Sequence, residues 1–289
     1  RQKIYRVIYR NSERILRLIN QLMDIRKIEK NQMKLTYQEV ELLGFIRDLC
    51  DMFAEVAAQK HITLDFRHND LTEMKVWLDI ANFDKVILNL LSNAFKFTPE
   101  GGHVEISASY GEDNATNGPL HRYVEIVVAD TGKGITPSDL ERIFERFYQA
   151  STEDSYKGTG IGLHLTRSLV ELHHGHIHAE NKPDGEKGSR FIVRIPAGNE
   201  HLHKDEMAAL PLPDETIHEV SNSYVQLPAT ALAEDKQPAG RVNARVKHYI
   251  LVVEDDEEIR NYISRELAAD YHVGTCSNGK EALEVIFKQ

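Results

Sequence analysis

The chain has no apolar run near the roughly 20 residues that a membrane-spanning helix needs, and no signal-peptide pattern opens it. It has only two cysteines, Cys50 and Cys276, whose distant and unlike contexts predict reduced thiols of a cytosolic protein rather than a disulfide framework. Basic residues number 35 against 45 acidic ones, and the net charge of −10 argues against a surface for duplex nucleic acid. What is present, 41% hydrophobic and 28% charged residues over 289 positions, is typical of about two soluble globular domains.

Residues 1–36 carry an apolar repeat that predicts a helix suited to pair with other helices. Its positions follow alternating steps of four and three residues, as in a bundle seam; they are Ile4, Ile8, Asn11, Ile15, Leu18, Leu22 and Ile25. Further apolar residues widen this face beyond a two-stranded seam and favour a four-helix bundle; these are Val7, Leu16, Ile19, Met23 and Ile28. Packing of the helix on its own domain is the alternative, but we expect a symmetric homodimer.

Residues 37–197 alternate helical and strand patterns, which predicts an α+β sandwich, that is, a mixed sheet covered on one face by helices. Asp79 is the expected N-cap of a helix over 81–97, and Gly175 is the expected C′ glycine of a helix over 164–174. A further helix is expected to open with a capping box at Thr136 and to bury Leu140, Ile143, Phe144 and Phe147. The remaining predicted elements are a helix over 43–60 and strands over 62–66, 75–78, 103–110, 123–129, 176–181 and 189–195.

Two asparagines, Asn89 and Asn93, lie four residues apart on the predicted helix 81–97, and Lys96 follows three residues later on the same side. Carboxamide oxygens beside a cation suit a Mg²⁺–phosphate group, because Mg²⁺ prefers oxygen ligands and usually shares them with a nucleotide. Asparagine on a helix is also commonly just solvated. This stretch alone does not decide between the two interpretations.

Two glycine-rich hexapeptides follow. Asp130 begins Asp-Thr-Gly-Lys-Gly-Ile at a strand end, where the glycines would admit a flat ligand and the carboxylate could accept from an exocyclic amine. Taken alone, this hexapeptide is explained by ordinary turn chemistry. Gly158 begins Gly-Thr-Gly-Ile-Gly-Leu before a helix, where free N–H groups and the helix dipole favour an anion. It is neither a Walker loop nor a dinucleotide fingerprint, and the polar stretch 149–157 before it predicts a mobile loop.

Four histidines lie near the end of the predicted helix 164–174 and in the strand after it. A metal site is not predicted from them, because helix-end and alternating strand positions point the rings in different directions. They are His173, His174, His176 and His178.

Residues 198–247 contain scattered prolines and no sustained periodicity, which predicts a flexible linker, with docking on the sandwich as the alternative. Residues 248–289 begin with a buried parallel-type strand, Tyr249–Val253, directly followed by Glu254 and Asp255. These carboxylates suit Mg²⁺ because ligands gather at the carboxyl ends of such strands, although an acidic cluster here also suits a helix N-terminus. A second strand and a helix complete the predicted pattern.

The order of these motifs resembles the sensor histidine kinases. The asparagine helix, the Asp130 hexapeptide, Ile-Phe-Glu-Arg-Phe-Tyr over 143–148 and the Gly158 hexapeptide look like the N, G1, F and G2 boxes of their ATP-binding domain, which shares its fold with gyrase and mismatch-repair ATPases. Residues 1–36 resemble the second helix of the kinase dimerisation hairpin, and residues 248–289 resemble the start of a doubly wound receiver. The order of kinase, linker and receiver is similar to the hybrid two-component systems of Bacteroidetes.

The resemblance implies that residues 37–197 bind ATP with Mg²⁺. It implies Asn93 as the Mg²⁺ ligand and Asp130 as the partner of the adenine amino group, while Glu254 and Asp255 would hold Mg²⁺ in an intact receiver. The other nucleotide-binding residues that it implies are Asn89, Lys96, Phe97, Gly132, Gly134, Ile135, Lys157, Gly158, Thr159, Gly160, Ile161, Gly162, Leu163 and Ser189.

Some positions depart from the family pattern. The hydrolytic relatives carry a glutamate where Asn89 stands, and without that general base net ATP hydrolysis should be poor. Many kinases carry arginine where this chain has Gln149, so Arg146 or Lys157 would have to supply that charge. No His-Glu/Asp-x-Arg/Lys-x-Pro acceptor motif occurs among the 14 histidines, so we expect the acceptor histidine on a first hairpin helix before residue 1.

We therefore interpret the chain as the ATP-binding catalytic core of a hybrid sensor histidine kinase, cut at both ends, from the cytoplasmic portion of an inner-membrane-anchored sensor. The γ-phosphoryl group would pass to a histidine on the kinase's own phosphotransfer helix and then to a receiver aspartate. This chain alone is expected to bind ATP without autophosphorylating. Its expected partners are a second copy of the chain, its own phosphotransfer helix and its receiver. We do not expect it to bind nucleic acid. A gyrase-type ATPase and a non-enzymatic, nucleotide-binding dimeric scaffold are the alternatives.

Overall fold

The structure is a computed structural model that describes residues 2–68, 72–113, 118, 120–149, 159–183, 185–204, 206–207, 249–255, 260–261, 264–265, 268 and 272–286. The chain divides into two compact units, residues 1–230 and residues 231–289. The predicted loop over 149–157, apart from Gln149, and most of the predicted linker lie outside the described residues.

Helix α1 (Gln2–Glu29) confirms the predicted N-terminal helix, and its C-terminal half packs on the rest of the first unit. Gln21 and Ile25 are buried, and Lys85 Nζ lies 2.9 Å from Asp24 Oδ2 with only 15% and 16% of these side chains exposed. The apolar side chains on the outward side, which we call the α1 stripe, are Ile15 (56% exposed), Leu16 (59%), Ile19 (50%) and Met23 (50%). The predicted seam positions outside the described side chains are Ile4, Ile8 and Asn11.

The helix predicted over 43–60 is two helices, α2 (Leu42–Asp51) and α3 (Ala54–Gln59), so the prediction of one continuous helix was wrong. At the break, Phe53 N donates to Cys50 O at 2.9 Å in a tight turn that directs the Phe53 ring into the core. The ring is fully buried and stacks on Phe95 with centroids 5.2 Å apart. Burial of an aromatic ring outweighs the regular helical bonds that the turn gives up. Strand β1 (Gln38–Glu41), directly before α2, pairs antiparallel with β3 (Lys75–Leu78).

A mixed five-stranded sheet forms the centre of the first unit. Its strands are β2 (Thr63–Arg67), β4 (His103–Glu112), β5 (Arg122–Asp130), β6 (His176–Asn181) and β7 (Ser189–Pro196), and the helices that follow β3 in this unit are α4 (Ile80–Phe97), α5 (Pro137–Leu140) and α6 (Gly162–Leu172). The spatial order of the strands is β2-β4-β5-β7-β6; the pair β2 and β4 is parallel, and the remaining pairs are antiparallel. The sheet's apolar side and helices α4 and α6 share one hydrophobic core, which confirms the predicted α+β sandwich.

Helix α5 is a single turn, and its predicted capping box does not form. Thr136 is the N-cap residue, but its side chain makes no capping hydrogen bond, and Asp139 instead accepts from the Tyr148 hydroxyl at 2.5 Å. Phe144 is buried as predicted, whereas Phe147 is 58% exposed, so its predicted burial was wrong. Phe147 adopts φ +64° after the helix has ended, and this left-handed backbone turns its side chain outward.

Helix α6 ends in a Schellman motif whose left-handed residue is His174, with φ +57°. His174 N donates to Glu171 O at 3.0 Å, and Gly175 N donates to Val170 O at 2.9 Å. The prediction of Gly175 as the C′ residue was therefore wrong by one position. Gly175 is required for another reason, because a Cβ there would lie 2.5 Å from Arg194 O on the neighbouring strand.

The described residues 198–204, 206 and 207 pack within the first unit, and the last of them lie beside Tyr37. Leu202 is buried, Tyr37 N donates to Glu206 O at 2.8 Å, and Tyr37 forms a parallel bridge with Met207. The start of the segment predicted as a linker therefore packs on the sandwich.

The second unit contains β8 (Tyr249–Val253) and β9 (His272–Cys276), which pair in parallel, and helix α7 (Gly279–Ile286). A parallel pair is what the start of a doubly wound sheet requires. The backbone carbonyls of Glu254 and Asp255, just after β8, accept from Arg260 Nη1 at 2.6 and 3.3 Å. Among all residues that the structure describes, no helix is both long and apolar enough to cross a membrane.

Candidate functional site

Helices α4 and α6 run antiparallel, and their contact brings the two predicted phosphate-binding features together. Asn89 Nδ2 on α4 donates to Thr166 Oγ1 on α6 at 2.7 Å. A Cβ at Gly162 would lie 2.5 Å from Asn89 Oδ1, so glycine leaves the room that the Asn89 carboxamide occupies. The N-terminus of α6 is thereby held against the asparagine helix. Sequence reasoning did not identify Thr166, which reads there as an ordinary residue of an amphipathic helix.

Asn93 lies one turn further along α4 and is half-buried. Within the described ranges its carboxamide has no hydrogen-bond partner, in contrast to that of Asn89. A carboxamide oxygen suits Mg²⁺, which takes most of its other ligands from phosphates and water. The donor set therefore fits a nucleotide-associated Mg²⁺ ion, and no cluster of three or more His, Cys, Asp or Glu side chains in the described part of the chain could hold a metal by itself.

The C-terminal end of α4 carries an aromatic ring with two ammonium groups around it. Phe97 is 40% exposed, and Lys96 Nζ and Lys133 Nζ lie 4.7 and 5.5 Å from its ring centroid. Cations near a helix C-terminus and over an aromatic face are both stabilised. This end of α4 therefore presents positive charge next to an exposed flat ring.

Asp130 ends β5 and is buried, with both carboxylate oxygens held by neighbours. Oδ1 accepts from Gly132 N at 2.7 Å, and Oδ2 accepts from Ser189 Oγ at 2.5 Å. Each oxygen keeps a second lone pair, so the carboxylate can still accept from a ligand while its orientation is set by the protein. The predicted residues Asp130, Gly132 and Ser189 are thus brought together, although 59 residues separate the carboxylate from the serine.

The loop after Asp130 is braced by a residue that sequence reasoning missed. Asn181 Oδ1, at the end of β6, accepts from Ile135 N at 2.8 Å, and its Nδ2 donates to Ile135 O at 2.7 Å. Gly134 has φ +75°, and a Cβ there would lie 2.9 Å from Asn181 Oδ1. Nothing local in the sequence separates Asn181 from any other strand-end asparagine.

The entry to α6 is held by the segment that follows α5. Gly160 has φ +68°, and its carbonyl accepts from Phe147 N at 2.8 Å. Ile161 is the N-cap residue of α6, is buried, and offers no side-chain capping bond. The first N–H groups of a helix lack intrahelical partners, and the dipole places partial positive charge there. Of the other predicted residues, Thr159 and Leu163 lie at this end of α6, whereas Lys157 and Gly158 lie outside the described residues.

The same segment after α5 also contacts α1. Arg146 Nη1 lies 3.0 Å from Glu29 Oε1, and the Arg142 guanidinium stacks on the Tyr148 ring at 4.3 Å. The Tyr148 hydroxyl, by donating to Asp139, lowers the pKa of that carboxyl. Arg146, one of the two residues expected to replace the missing family arginine, is therefore paired with α1 in this conformation.

The fold and the arrangement of α4, the Asp130 loop and α6 define a nucleotide-binding ATPase domain. Residues 78–199 match the family described as histidine kinase-, DNA gyrase B-, and HSP90-like ATPase. The sensor histidine kinase TmoS of Ectopseudomonas mendocina is 33% identical over 296 residues, and the match covers 98% of this chain and 28% of that protein. Histidine kinase P4 of Formosa agariphila is 30% identical over 292 residues, covering 98% of this chain and 20% of that protein.

The solved structure of the Acinetobacter baumannii histidine kinase AdeS is 19% identical with a TM-score of 0.54, and covers 68% of this chain and 84% of that one; it shows a shared fold. The present chain spans about a quarter of the length of the two kinases that it matches over nearly its whole extent. It belongs to the sensor histidine kinases, as the ATP-binding catalytic core of a hybrid member. The relatives are kinases, so a gyrase-type ATPase is not favoured.

Proposed function

We propose that this chain binds Mg·ATP between α4 and α6, and that the intact protein transfers the γ-phosphoryl group to a histidine on its own phosphotransfer helix and then to a receiver aspartate. The observation that carries the proposal is the packing of Gly162 against Asn89, with the Asn89–Thr166 hydrogen bond at 2.7 Å. This packing brings the N-terminus of α6 against Asn89, which precedes Asn93 by one turn and Lys96 by about two turns on α4.

The adenine end of the nucleotide is assigned to Asp130. Its carboxylate is buried and oriented by Gly132 N and Ser189 Oγ, which supports a fixed acceptor for the exocyclic amino group. Phe97, Ile135, Leu163 and the glycines of the two hexapeptides are proposed to contact the ring system.

The phosphate end is assigned to α6 and the last turns of α4. The uncapped N-terminus of α6 would bind phosphate oxygens, Lys96 would add positive charge, and the free carboxamide of Asn93 would ligate Mg²⁺. The expected contribution of Thr159, Gly160 and Ile161 is backbone N–H groups, and that of Lys157 and Gly158 stays a prediction outside the described residues. The Mg²⁺ ion, when bound, would neutralise charge that develops on the transferred phosphoryl group.

The side chain of Asn89 cannot act as the general base that activates water for hydrolysis. A carboxamide has no basic oxygen, and the Asn89 amide group is already engaged with Thr166. We therefore propose that the bound phosphoryl group is reserved for a protein acceptor and that steady-state ATP hydrolysis is slow.

The remaining assignments concern the intact protein. The α1 stripe is proposed to pair with the helices of a second copy in a homodimer. Glu254 and Asp255, at the carboxyl end of β8, are proposed as Mg²⁺ ligands of a complete receiver. Because ATP is a cytoplasmic substrate, the catalytic core would lie in the cytoplasmic portion of an inner-membrane-anchored sensor.

Calorimetric titration of the full chain with Mg·AMPPNP tests the nucleotide site. We expect binding by the unaltered chain, a loss of about tenfold or more in affinity for Asn93→Ala, and a comparable loss for Asp130→Asn. Gln59→Ala, which removes an exposed carboxamide on α3 that donates to Glu55, is the matched control and should bind as the unaltered chain does. Absence of binding at millimolar nucleotide would instead support a non-enzymatic scaffold.

A further inference from the structure

The buried imidazole of His173, at the C-terminal end of α6, is hydrogen-bonded through both ring nitrogens. Nδ1 lies 2.7 Å from Leu169 O, and Nε2 lies 3.3 Å from Asp79 N. A carbonyl oxygen can only accept, so Nδ1 carries the proton and Nε2 accepts from the Asp79 N–H group. Burial lowers the pKa of His173, which keeps the ring in this neutral form. The imidazole thereby ties the end of α6 to the residue that caps the start of α4.

Asp79 and Tyr37 complete this connection, which we call the His173 junction (Tyr37, Asp79 and His173). Asp79 Oδ1 accepts from Asn82 N at 3.1 Å, which caps α4, and Oδ2 accepts from Thr36 N at 2.8 Å. The Tyr37 hydroxyl donates to Leu172 O, the last residue of α6, at 2.7 Å. The His173 ring packs edge-on against Tyr37 at 5.5 Å between centroids, so the polar side-chain atoms of the junction are paired beside packed aromatic rings.

The junction and the candidate phosphate site are the two ends of one antiparallel helix pair. The step from Asp79 to Asn89 along α4 is about 15 Å at 1.5 Å per residue. At the far end, Asn89 bonds Thr166 and meets Gly162. A helix held at both ends cannot slide along its neighbour, so the bonds of the junction limit where the N-terminus of α6 lies relative to the asparagines of α4.

We propose that His173 and Asp79 are positioning residues for the nucleotide site: they set the axial position of α6 on α4, and through it the placement of the α6 N-terminus relative to Asn89 and Asn93. The inference rests on the proposed binding of Mg·ATP between these helices. Release of the junction lets α6 shift, and displacements of about 1 Å are enough to weaken a constellation that depends on geometry.

The experiment compares His173→Phe with His173→Gln in the full chain, by calorimetry with Mg·AMPPNP. Phenylalanine keeps an aromatic ring in the cluster but leaves the buried Asp79 N–H group without an acceptor, and affinity should fall about fivefold or more. Glutamine can place an acceptor near the position of Nε2, so it should restore affinity to within about twofold of the unaltered chain. His176→Phe and His176→Gln, at an exposed strand position, are the matched controls and should change nothing.

The folding of each variant is first checked by circular dichroism. Affinity is then measured at a temperature at which every variant is fully folded, so that a loss of stability alone does not alter the measured affinity. Equal affinities for His173→Phe and the unaltered chain would overturn the inference while leaving the proposed function intact. Failure of the unaltered chain to bind would overturn the proposed function itself. Should His173→Phe not fold, Tyr37→Phe decides, because it removes only the hydroxyl bond to Leu172; a loss of about twofold or more supports the inference, and no loss overturns it.

Discussion

At the candidate site, the role of a single residue depends on its size and on whether its hydrogen-bonding groups are already paired. Asn89 and Asn93 have the same side chain on the same helix, yet one is bonded to Thr166 and the other has no partner among the described residues. The bonded carboxamide holds α6 in place, and the unbonded one is available to a ligand. Identical residue types one turn apart thus take different roles, because α6 begins opposite Asn89 whereas Asn93 lies one turn further along α4.

Gly162→Ala is the sharpest single-residue test of this arrangement. The added Cβ would lie 2.5 Å from Asn89 Oδ1, so either the Asn89 carboxamide turns away from Thr166 or α6 moves away from α4. We expect about 1–3 kcal/mol of lost stability in urea unfolding, as for other overpacked contacts, together with weaker Mg·AMPPNP binding. Gly118→Ala, where nothing lies within 4 Å of the added Cβ, is the control and should leave both quantities unchanged. Unaltered binding by Gly162→Ala would show that this contact does not place the ligand.

Among the elements, α1 has two unlike sides. Its C-terminal half buries Gln21 and Ile25 and pairs Asp24 with Lys85 at 2.9 Å, while the α1 stripe stays exposed. Breaking a mostly buried ion pair costs more stability than breaking a surface pair, because the remaining partner is left partly desolvated. The helix is therefore attached to the sandwich on one side and open to another helix on the other.

Substitutions in the α1 stripe should weaken self-association without unfolding the chain. Ile19→Glu and Leu16→Glu place charge on positions that are 50% and 59% exposed, so the folded unit tolerates them, but a helix–helix interface would not. Sedimentation velocity over a range of concentrations should show dimers of the unaltered chain and mainly monomers of these variants. Asn20→Glu puts the same side chain on a polar exposed position and should still dimerise. Equal association of all variants would exclude the stripe as the interface.

Helix α6 ends without glycine at the left-handed position where glycine is usual. His174 takes the left-handed position of the Schellman motif, at a cost of about 1 kcal/mol relative to glycine. Glycine stands one residue later, where the approach of Arg194 O leaves no room for a side chain. The His174 ring makes an edge-on contact with the His201 ring, and their centroids are 4.9 Å apart.

In the molecule as a whole, two buried titratable groups change the stability in opposite directions as pH rises. Burial lowers the pKa of His173, so its contribution is complete above the unfolded-state value of about 6.5 and is lost as pH falls below it. Burial raises the pKa of Asp84 to about 7. Its folded state holds the proton more tightly than the unfolded chain, so stability falls as pH rises from about 4 through 7.

Asp84→Asn should therefore stabilise the chain at pH 8 and change it far less at pH 5. Asparagine resembles the protonated carboxyl group that burial favours, and it cannot ionise. Urea unfolding at the two pH values measures the difference, with Asp48→Asn, an exposed aspartate of α2, as the control. A variant that is equally or less stable than the unaltered chain at pH 8 would show that Asp84 is stabilised as the anion.

The sequence by itself determined the order of the boxes, the class of the fold and the family, because periodicity and glycine placement are local properties that a chain carries before it folds. It also indicated Asn89, Asn93 and Asp130 as polar residues of a ligand site. Only the tertiary structure decided which of them are engaged, since Thr166 and Ser189 reach them from distant positions. The same holds for Asn181, for the break at Phe53 and for the His173 junction. Each arises where separate elements meet, and a pairing between elements leaves no trace in the spacing of either one.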